Sequence, residues 1–149
     1  MDRLDWVERA AIENLKEHAQ NSDLLRKEVV TLLTLVLSGA GAALYFAAKE
    51  TNLTEAAVVV SLWLFSIALL LSFNCLMFAT FPAIWNEPKQ LNQKQYDFEE
   101  VREEELLNIQ ERIELASDLN AKKSDWLNNC IFLACLTPGV ALLTWFLFR

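Results

Sequence analysis

The 149-residue sequence contains only three glycines, three prolines, three cysteines and one histidine. So few glycines and prolines argue against an all-β or a disordered chain. The cysteines match no zinc-binding spacing, and the single histidine, His18, has no histidine or cysteine nearby in sequence to complete a metal site. Phosphate-loop, nucleophile-elbow and metal-helix motifs are also missing. The sequence therefore predicts no enzyme, no cofactor and no metal site.

Charge is missing from three long windows. Residues 29–48, 56–86 and 126–148 contain no Asp, Glu, Lys or Arg, and together they make up half of the chain. A helix needs about 20 mostly apolar residues to cross the hydrocarbon core of a bilayer. A soluble domain of this size cannot bury three such stretches around one core. The windows therefore predict three transmembrane helices in a lipid bilayer.

The predicted fold class is an all-α membrane protein with three transmembrane helices and two amphipathic cytoplasmic helices. Residues 1–28 form an N-terminal amphipathic helix and a lead-in to the membrane. Residues 29–81 hold the first two spans, which are joined by a short outer loop. Residues 82–125 form a cytoplasmic loop, centred on 86–95, and an acidic amphipathic helix. Residues 126–149 form the third span.

The basic residues predict the orientation of the chain in the membrane. Eleven of the 13 lysines and arginines lie in segments 1–28 and 82–125. Basic residues in short flanking segments favour the cytoplasmic side. We therefore expect a multi-pass protein of the bacterial inner membrane, with its N-terminus in the cytoplasm and its C-terminus outside. Both cytoplasmic segments are nevertheless acidic overall, so nucleic acid is not an expected partner.

Each cytoplasmic helix is predicted to carry one apolar stripe at three- and four-residue spacing. The stripe of the first, over residues 3–20, consists of Leu4, Val7, Ala11, Leu15 and His18. The stripe of the second, over 96–123, is an expected interaction surface and consists of Leu106, Ile109, Ile113 and Ala116. The capping residues Asn21, Ser22 and Asp23 predict a new helix start before the first span. Residues 122–126 either bend or continue the helix unbroken into the third span.

Small residues in the first span predict close helix packing. Ser38 and Ala42 are four residues apart, as are Gly39 and Ala43. This spacing lets helix backbones approach one another in lipid, where association depends on packing. Two alternatives stay open. The face packs against the chain's own second or third helix, or it forms an interface between subunits.

Few polar residues lie inside the spans. Asn74 is expected to form a structural hydrogen bond to a neighbouring helix, with a role in conduction as the alternative. Thr137 is the polar residue at the middle of the third span, and Pro138 with Gly139 predicts a kink there. No span has an acid or base in its centre, which argues against an ion-coupled transporter. Hydroxyl and amide side chains remain available to line a pore.

The arrangement of helices resembles small bacterial membrane proteins that have two to four spans and a short helical cytoplasmic part. This group includes membrane effectors of phage-defence systems, small immunity proteins and phage holins. A three-span holin normally has its N-terminus outside, whereas the basic residues here predict the reverse. The resemblance rests on the layout of helices and assigns a function to no individual residue.

Two functions compete. The favoured hypothesis is an oligomeric pore-forming or membrane-perturbing effector that is controlled through its cytoplasmic helices. It draws on the missing enzyme motifs, the missing transporter charge, the mid-span Pro-Gly and the coupling of cytoplasmic to membrane helices. The alternative is a non-conducting scaffold, anchor or immunity-type subunit that binds a cytoplasmic or membrane protein partner. Both predict a homo-oligomer, because three spans bury little surface among themselves and the cytoplasmic stripes need cover.

Overall fold

A computed structural model describes residues 3–49, 54–77, 81–84 and 97–147. These residues are almost entirely helical and contain no strand. The predicted loop at 86–95 and residues 50–53 of the outer loop lie outside the described ranges. The helices are α1 (Arg3–Lys49), α2 (Thr54–Leu71), which continues into a π-helical turn (Ser72–Met77), α3 (Phe98–Cys135) and α4 (Thr137–Leu147).

Three helical stretches are long and apolar enough to cross a membrane. They are Leu4–Lys49, Glu55–Met77 and Phe98–Leu147, and the most apolar windows have mean hydropathies of 2.0, 2.4 and 2.1. This confirms the prediction of a helical protein with three helices able to span a bilayer. Many of their large apolar side chains, such as Leu35, Phe65 and Leu142, are exposed. Exposed apolar surface of this extent is typical of helices that face lipid.

The expected helix start at Asn21–Asp23 is wrong, because α1 runs without interruption from Arg3 to Lys49. Asparagine, serine and aspartate each cost less than about 0.7 kcal/mol in a helix interior relative to alanine. Ser22 is buried, and Val29 in the next turns is buried too. Packing on both sides of the capping residues therefore outweighs their weak preference for a helix end.

The alternative left open at residues 122–126 is decided in favour of a continuous helix, because α3 extends from Phe98 to Cys135. The interruption comes later, at Leu136, before α4 begins. The Leu136 N–H donates to the carbonyls of both Phe132 and Leu133, at 3.2 Å each. Pro138, two residues further on, has no N–H and crowds the preceding turn. The chain therefore changes from one helix to the next where the proline removes a regular hydrogen bond.

The chain divides into two compact units, and α1 and α3 each contribute to both. The polar unit comprises Met1–Leu24 and Thr80–Lys122, and the apolar unit comprises Leu25–Ala79 and Lys123–Arg149. The core of the polar unit is small. It consists of Leu15, Ile109, Ile113 and Ala116, with Ala11, Ile12, Phe81 and Ile84 packed against them.

The apolar unit has a larger core that draws on all three apolar helices. Its buried members are Val29, Val36, Ala40, Leu64, Ile67, Ala68, Leu71, Cys75, Leu127 and Cys130. α2 also packs directly against α4. Polar contacts also cross this core. The Ser61 hydroxyl of α2 donates to the Ala40 carbonyl of α1 at 3.0 Å. Such interhelical hydrogen bonds contribute about 0.6 kcal/mol on average in lipid and fix which faces meet.

Candidate functional site

The small-residue face of the first span is divided between two environments. A Cβ added at Gly39 would lie 3.1 Å from Leu64 Cδ1 of α2, so Gly39 provides the close approach of the two helices. Ala43 is half-buried, whereas Ser38 and Ala42 are exposed. The structure thus places Gly39 at contact within the chain and leaves Ser38 and Ala42 on the outer surface.

A row of hydroxyl side chains lies on the exposed face of α1. This row, here called the hydroxyl stripe, consists of Thr31, Thr34, Ser38 and Tyr45. Their spacing of three, four and seven residues places them on one face of a helix. The core side of the same helix is marked by buried Val36. Residues two positions from Val36 are rotated by about 200° around the helix, so the hydroxyl stripe lies opposite the core.

The hydroxyl stripe is compatible with lipid, because its threonines hydrogen-bond to their own helix. Thr31 Oγ1 donates to the Lys27 carbonyl at 2.9 Å, and Thr34 Oγ1 donates to the Val30 carbonyl at 2.8 Å. Local bonds of this kind satisfy the hydroxyl hydrogen and leave the oxygen available as an acceptor. An outward row of acceptor oxygens is able to contact either water or the polar groups of another copy.

The hydroxyl stripe ends at a lysine. Lys49 Nζ lies 5.4 Å from the centre of the Tyr45 ring, which is within the range of a cation–π interaction. Between Ser38 and Tyr45 the same face carries Gly41 and Ala42, and a Cβ at Gly41 would meet nothing within 4 Å. The side chains on this face between Ser38 and Tyr45 are therefore small.

The other predicted intramembrane polar residues do not join the hydroxyl stripe. The Asn74 amide donates to the Leu70 carbonyl at 3.0 Å, so its hydrogen bond lies within its own helix rather than to the neighbouring helix that was expected. Thr137 Oγ1 is buried without a hydrogen-bond partner among the described residues. Gly139 has no atom within 4 Å of an added Cβ, so close packing does not require a glycine there.

In the polar unit, a charged contact joins α1 and α3 near the start of each helix. Arg102 of α3 donates to Glu8 Oε2 at 2.9 Å and also pairs with Asp5. The hydrogen bonds that Arg102 donates to Asp5 and, to a smaller extent, to Glu8 raise the pKa of Arg102 above its usual value. A raised arginine pKa makes a stability contribution that is lost only in strongly alkaline solution, so this contact is insensitive to pH in the physiological range.

The register of α1 on α3 in the polar unit is marked by a buried asparagine. Asn120 Nδ2 donates to the His18 carbonyl at 2.8 Å. Arg102 pairs near the start of α1, and Asn120 bonds further along it, so the two helices run in the same direction. Ile113 and Asn120 are both buried and are seven residues apart, as are Leu15 and Ser22. Buried positions at seven-residue spacing are typical of paired helices of the coiled-coil type.

Asn120→Leu is expected to raise the thermal midpoint of the polar unit. Asn120 Oδ1 has no hydrogen-bond partner within the described part of the chain, and a buried unpaired acceptor costs about 1–3 kcal/mol. A single buried asparagine in a helix pair specifies register at the expense of stability. Thermal unfolding followed by circular dichroism tests this, with the exposed Asn14→Leu as control. A lower midpoint for Asn120→Leu alone would show that the amide is net stabilising.

The predicted interaction stripe of the acidic helix is largely internal. Ile109, Ile113 and Ala116 are buried around Leu15, and Leu106 is half-buried. The glutamates of this helix differ in exposure. Glu105 is mostly buried, and its Oε1 lies 3.6 Å from Nη2 of Arg112. The exposed members are Glu99, Glu100, Glu103, Glu104, Glu111 and Glu114. No group of three or more metal-ligating side chains occurs within the described ranges.

Two features of this site went unnoticed in the sequence, although both have a sequence signal. Tyr45 continues the spacing of Thr31, Thr34 and Ser38 by one further heptad. Arg102 is the one basic residue within a run of glutamates, which marks it as a partner for acids on another helix.

Comparison with protein-family models, with curated proteins and with solved structures found no match to this chain.

Proposed function

We propose that the protein is an oligomeric, pore-forming membrane effector in which the hydroxyl stripe of each copy faces an aqueous path. The supporting observation is the position of the stripe on α1, opposite the core and exposed. Pore walls in helical membrane proteins carry hydroxyl and amide groups where lipid-facing surfaces carry leucine, valine and phenylalanine. Gly41 and Ala42 leave the stretch between Ser38 and Tyr45 free of bulky side chains.

The polar unit is the controlling element in this proposal. α1 and α3 each carry residues of both units without a loop between them. A partner or signal that changes the pairing of α1 and α3 in the polar unit acts on helices that are continuous with two of the spans. The basic residues favour a cytoplasmic position for this unit. The resemblance to phage-defence effectors in the layout of helices makes a bacterial defence system the proposed setting.

The pore is tested with adjacent cysteine variants in a background that lacks the native cysteines. Ser38 belongs to the hydroxyl stripe, and Leu37, rotated by about 100°, does not. In planar bilayers, a charged water-soluble thiol reagent is expected to reduce the current of Ser38→Cys and to leave that of Leu37→Cys unchanged. A thiol reacts as the thiolate and therefore needs contact with water. Equal reaction at both positions, or an oligomer that never conducts, contradicts the proposal.

The alternative function also has an observation in its favour. Leu107 and Leu115 of the polar unit are 69% and 52% exposed. Apolar side chains this exposed on a polar segment are typical of a protein-binding surface. A scaffold or immunity-type subunit would use them to hold a partner protein. An oligomer that binds such a partner through Leu107 and passes no current with or without it would favour this alternative.

A further inference from the structure

Two cavities of the apolar unit share lining residues of α1 and α3, and one of them extends to α2 and α4. One cavity has a volume of about 510 Å³ and reaches Gly39, Thr137 and Pro138. The other has a volume of about 490 Å³ and reaches Lys27 and Glu28. Both are lined by the same three side chains, which are Leu32, Leu35 and Ile131. We call the combined cavity the α1–α3 groove.

The chemistry of the α1–α3 groove changes along its length. Its mouth has a cation and a carboxylate, from Lys27 and Glu28, both exposed. The rest of its lining is apolar except for Thr31, which also belongs to the hydroxyl stripe, and Thr137. From Lys27 to Gly39 along α1 is about 18 Å at 1.5 Å per residue. One leaflet contributes about half of the 30 Å hydrocarbon core. The length of the groove along α1 is therefore about the thickness of one leaflet. This length places Lys27 and Glu28 at the level of the lipid headgroups.

The two cavities are small compared with the volume of a transmembrane helix. A helix with side chains is at least about 10 Å across, and an 18 Å length of it occupies about 1,400 Å³. Neither cavity approaches this volume, and the two overlap at Leu32, Leu35 and Ile131. A single hydrocarbon chain is much thinner. The dimensions and the charged mouth together match one phospholipid.

We infer that the α1–α3 groove binds one phospholipid of the adjacent leaflet, with an acyl chain along Leu32, Leu35 and Ile131. Lys27 contacts the phosphate, and Glu28 contacts the ammonium of an ethanolamine headgroup. A net anionic headgroup is disfavoured, because the Glu28 carboxylate lies at the same mouth. This inference does not require the protein to conduct. Thr31 lies at the edge that the groove shares with the hydroxyl stripe.

The binding is tested by native mass spectrometry of the full-length protein titrated with phosphatidylethanolamine in mild detergent. Leu35→Trp fills the groove and is expected to abolish the bound lipid. The matched control is Leu37→Trp, because Leu37 is exposed on the same helix but does not line the groove. It should bind as the unmodified protein does. Circular dichroism checks that both variants keep their helices.

The headgroup contact is tested by charge removal. Lys27→Gln is expected to weaken phosphatidylethanolamine binding about tenfold, whereas Arg26→Gln, outside the groove, leaves it unchanged. Phosphatidylglycerol should bind more weakly than phosphatidylethanolamine to the unmodified protein. Equal lipid binding by Leu35→Trp and Leu37→Trp overturns the proposal. So does loss of oligomer without loss of lipid in Leu35→Trp, which would identify a second copy as the occupant.

Discussion

Gly39→Leu is expected to separate α1 from α2 and to destabilise the apolar unit. An added Cβ alone would lie 3.1 Å from Leu64 Cδ1, so the Leu64 side chain must shift to admit even the first atom of the new side chain. Overpacking of this kind costs about 1–3 kcal/mol. Replacing a helical glycine regains about 0.8 kcal/mol of helix propensity, which does not offset the clash. The adjacent Ser61–Ala40 hydrogen bond is expected to break as the helices move apart.

Gly41→Leu is the matched control, since a Cβ there would meet nothing within 4 Å. The unfolding midpoint in a denaturing-detergent titration should fall for Gly39→Leu and stay unchanged or rise for Gly41→Leu. The mass of the oligomer gives a separate result. If copies pack along the hydroxyl stripe, Gly41→Leu weakens assembly without unfolding the protomer. An unchanged midpoint for Gly39→Leu would show that Gly39 does not set the spacing of α1 and α2.

Leu15→Ala is expected to destabilise the polar unit by about 2–5 kcal/mol, the usual cost of removing a buried leucine side chain. Leu15 is 0% exposed and lies among Ile109, Ile113 and Ala116. No other buried side chain of α1 belongs to this small core within the described residues. A cavity at this position therefore removes the main apolar contact of α1 with α3 in the polar unit.

Hydrogen exchange measures this effect by region. Amides in 3–24 and 98–122 should exchange at least about tenfold faster in Leu15→Ala, because each 1.4 kcal/mol changes an equilibrium tenfold. Leu107→Ala is the control, since Leu107 is 69% exposed and surface changes cost less than about 0.5 kcal/mol. Equal exchange in the two variants would mean that another contact holds the helices together. Under the proposed function, Leu15→Ala also changes channel activity, whereas Leu107→Ala does not.

The sequence by itself was enough to predict three helices able to span a membrane. Crossing hydrocarbon requires about 20 consecutive apolar residues, and this requirement is visible along one stretch of chain. The apolar residues of the polar unit could be anticipated for the same reason, because helical periodicity is local. Ile109, Ile113 and Ala116 were predicted as a stripe and are buried together.

The tertiary structure decided which partner each of these faces meets. Gly39 packs on Leu64, whereas Ser38, one residue earlier, is exposed. Asn21–Asp23 do not start a new helix. Their unfavourable helix propensities amount to a few tenths of a kcal/mol, which is less than the packing energy on either side. Asn74 bonds within its own helix, and Asn120 bonds to another. Ser61 contacts Ala40 and Asn120 contacts His18, although these residues lie some 20 to 100 positions apart in the sequence. Such contacts depend on helix rotation and register, which local hydropathy does not encode.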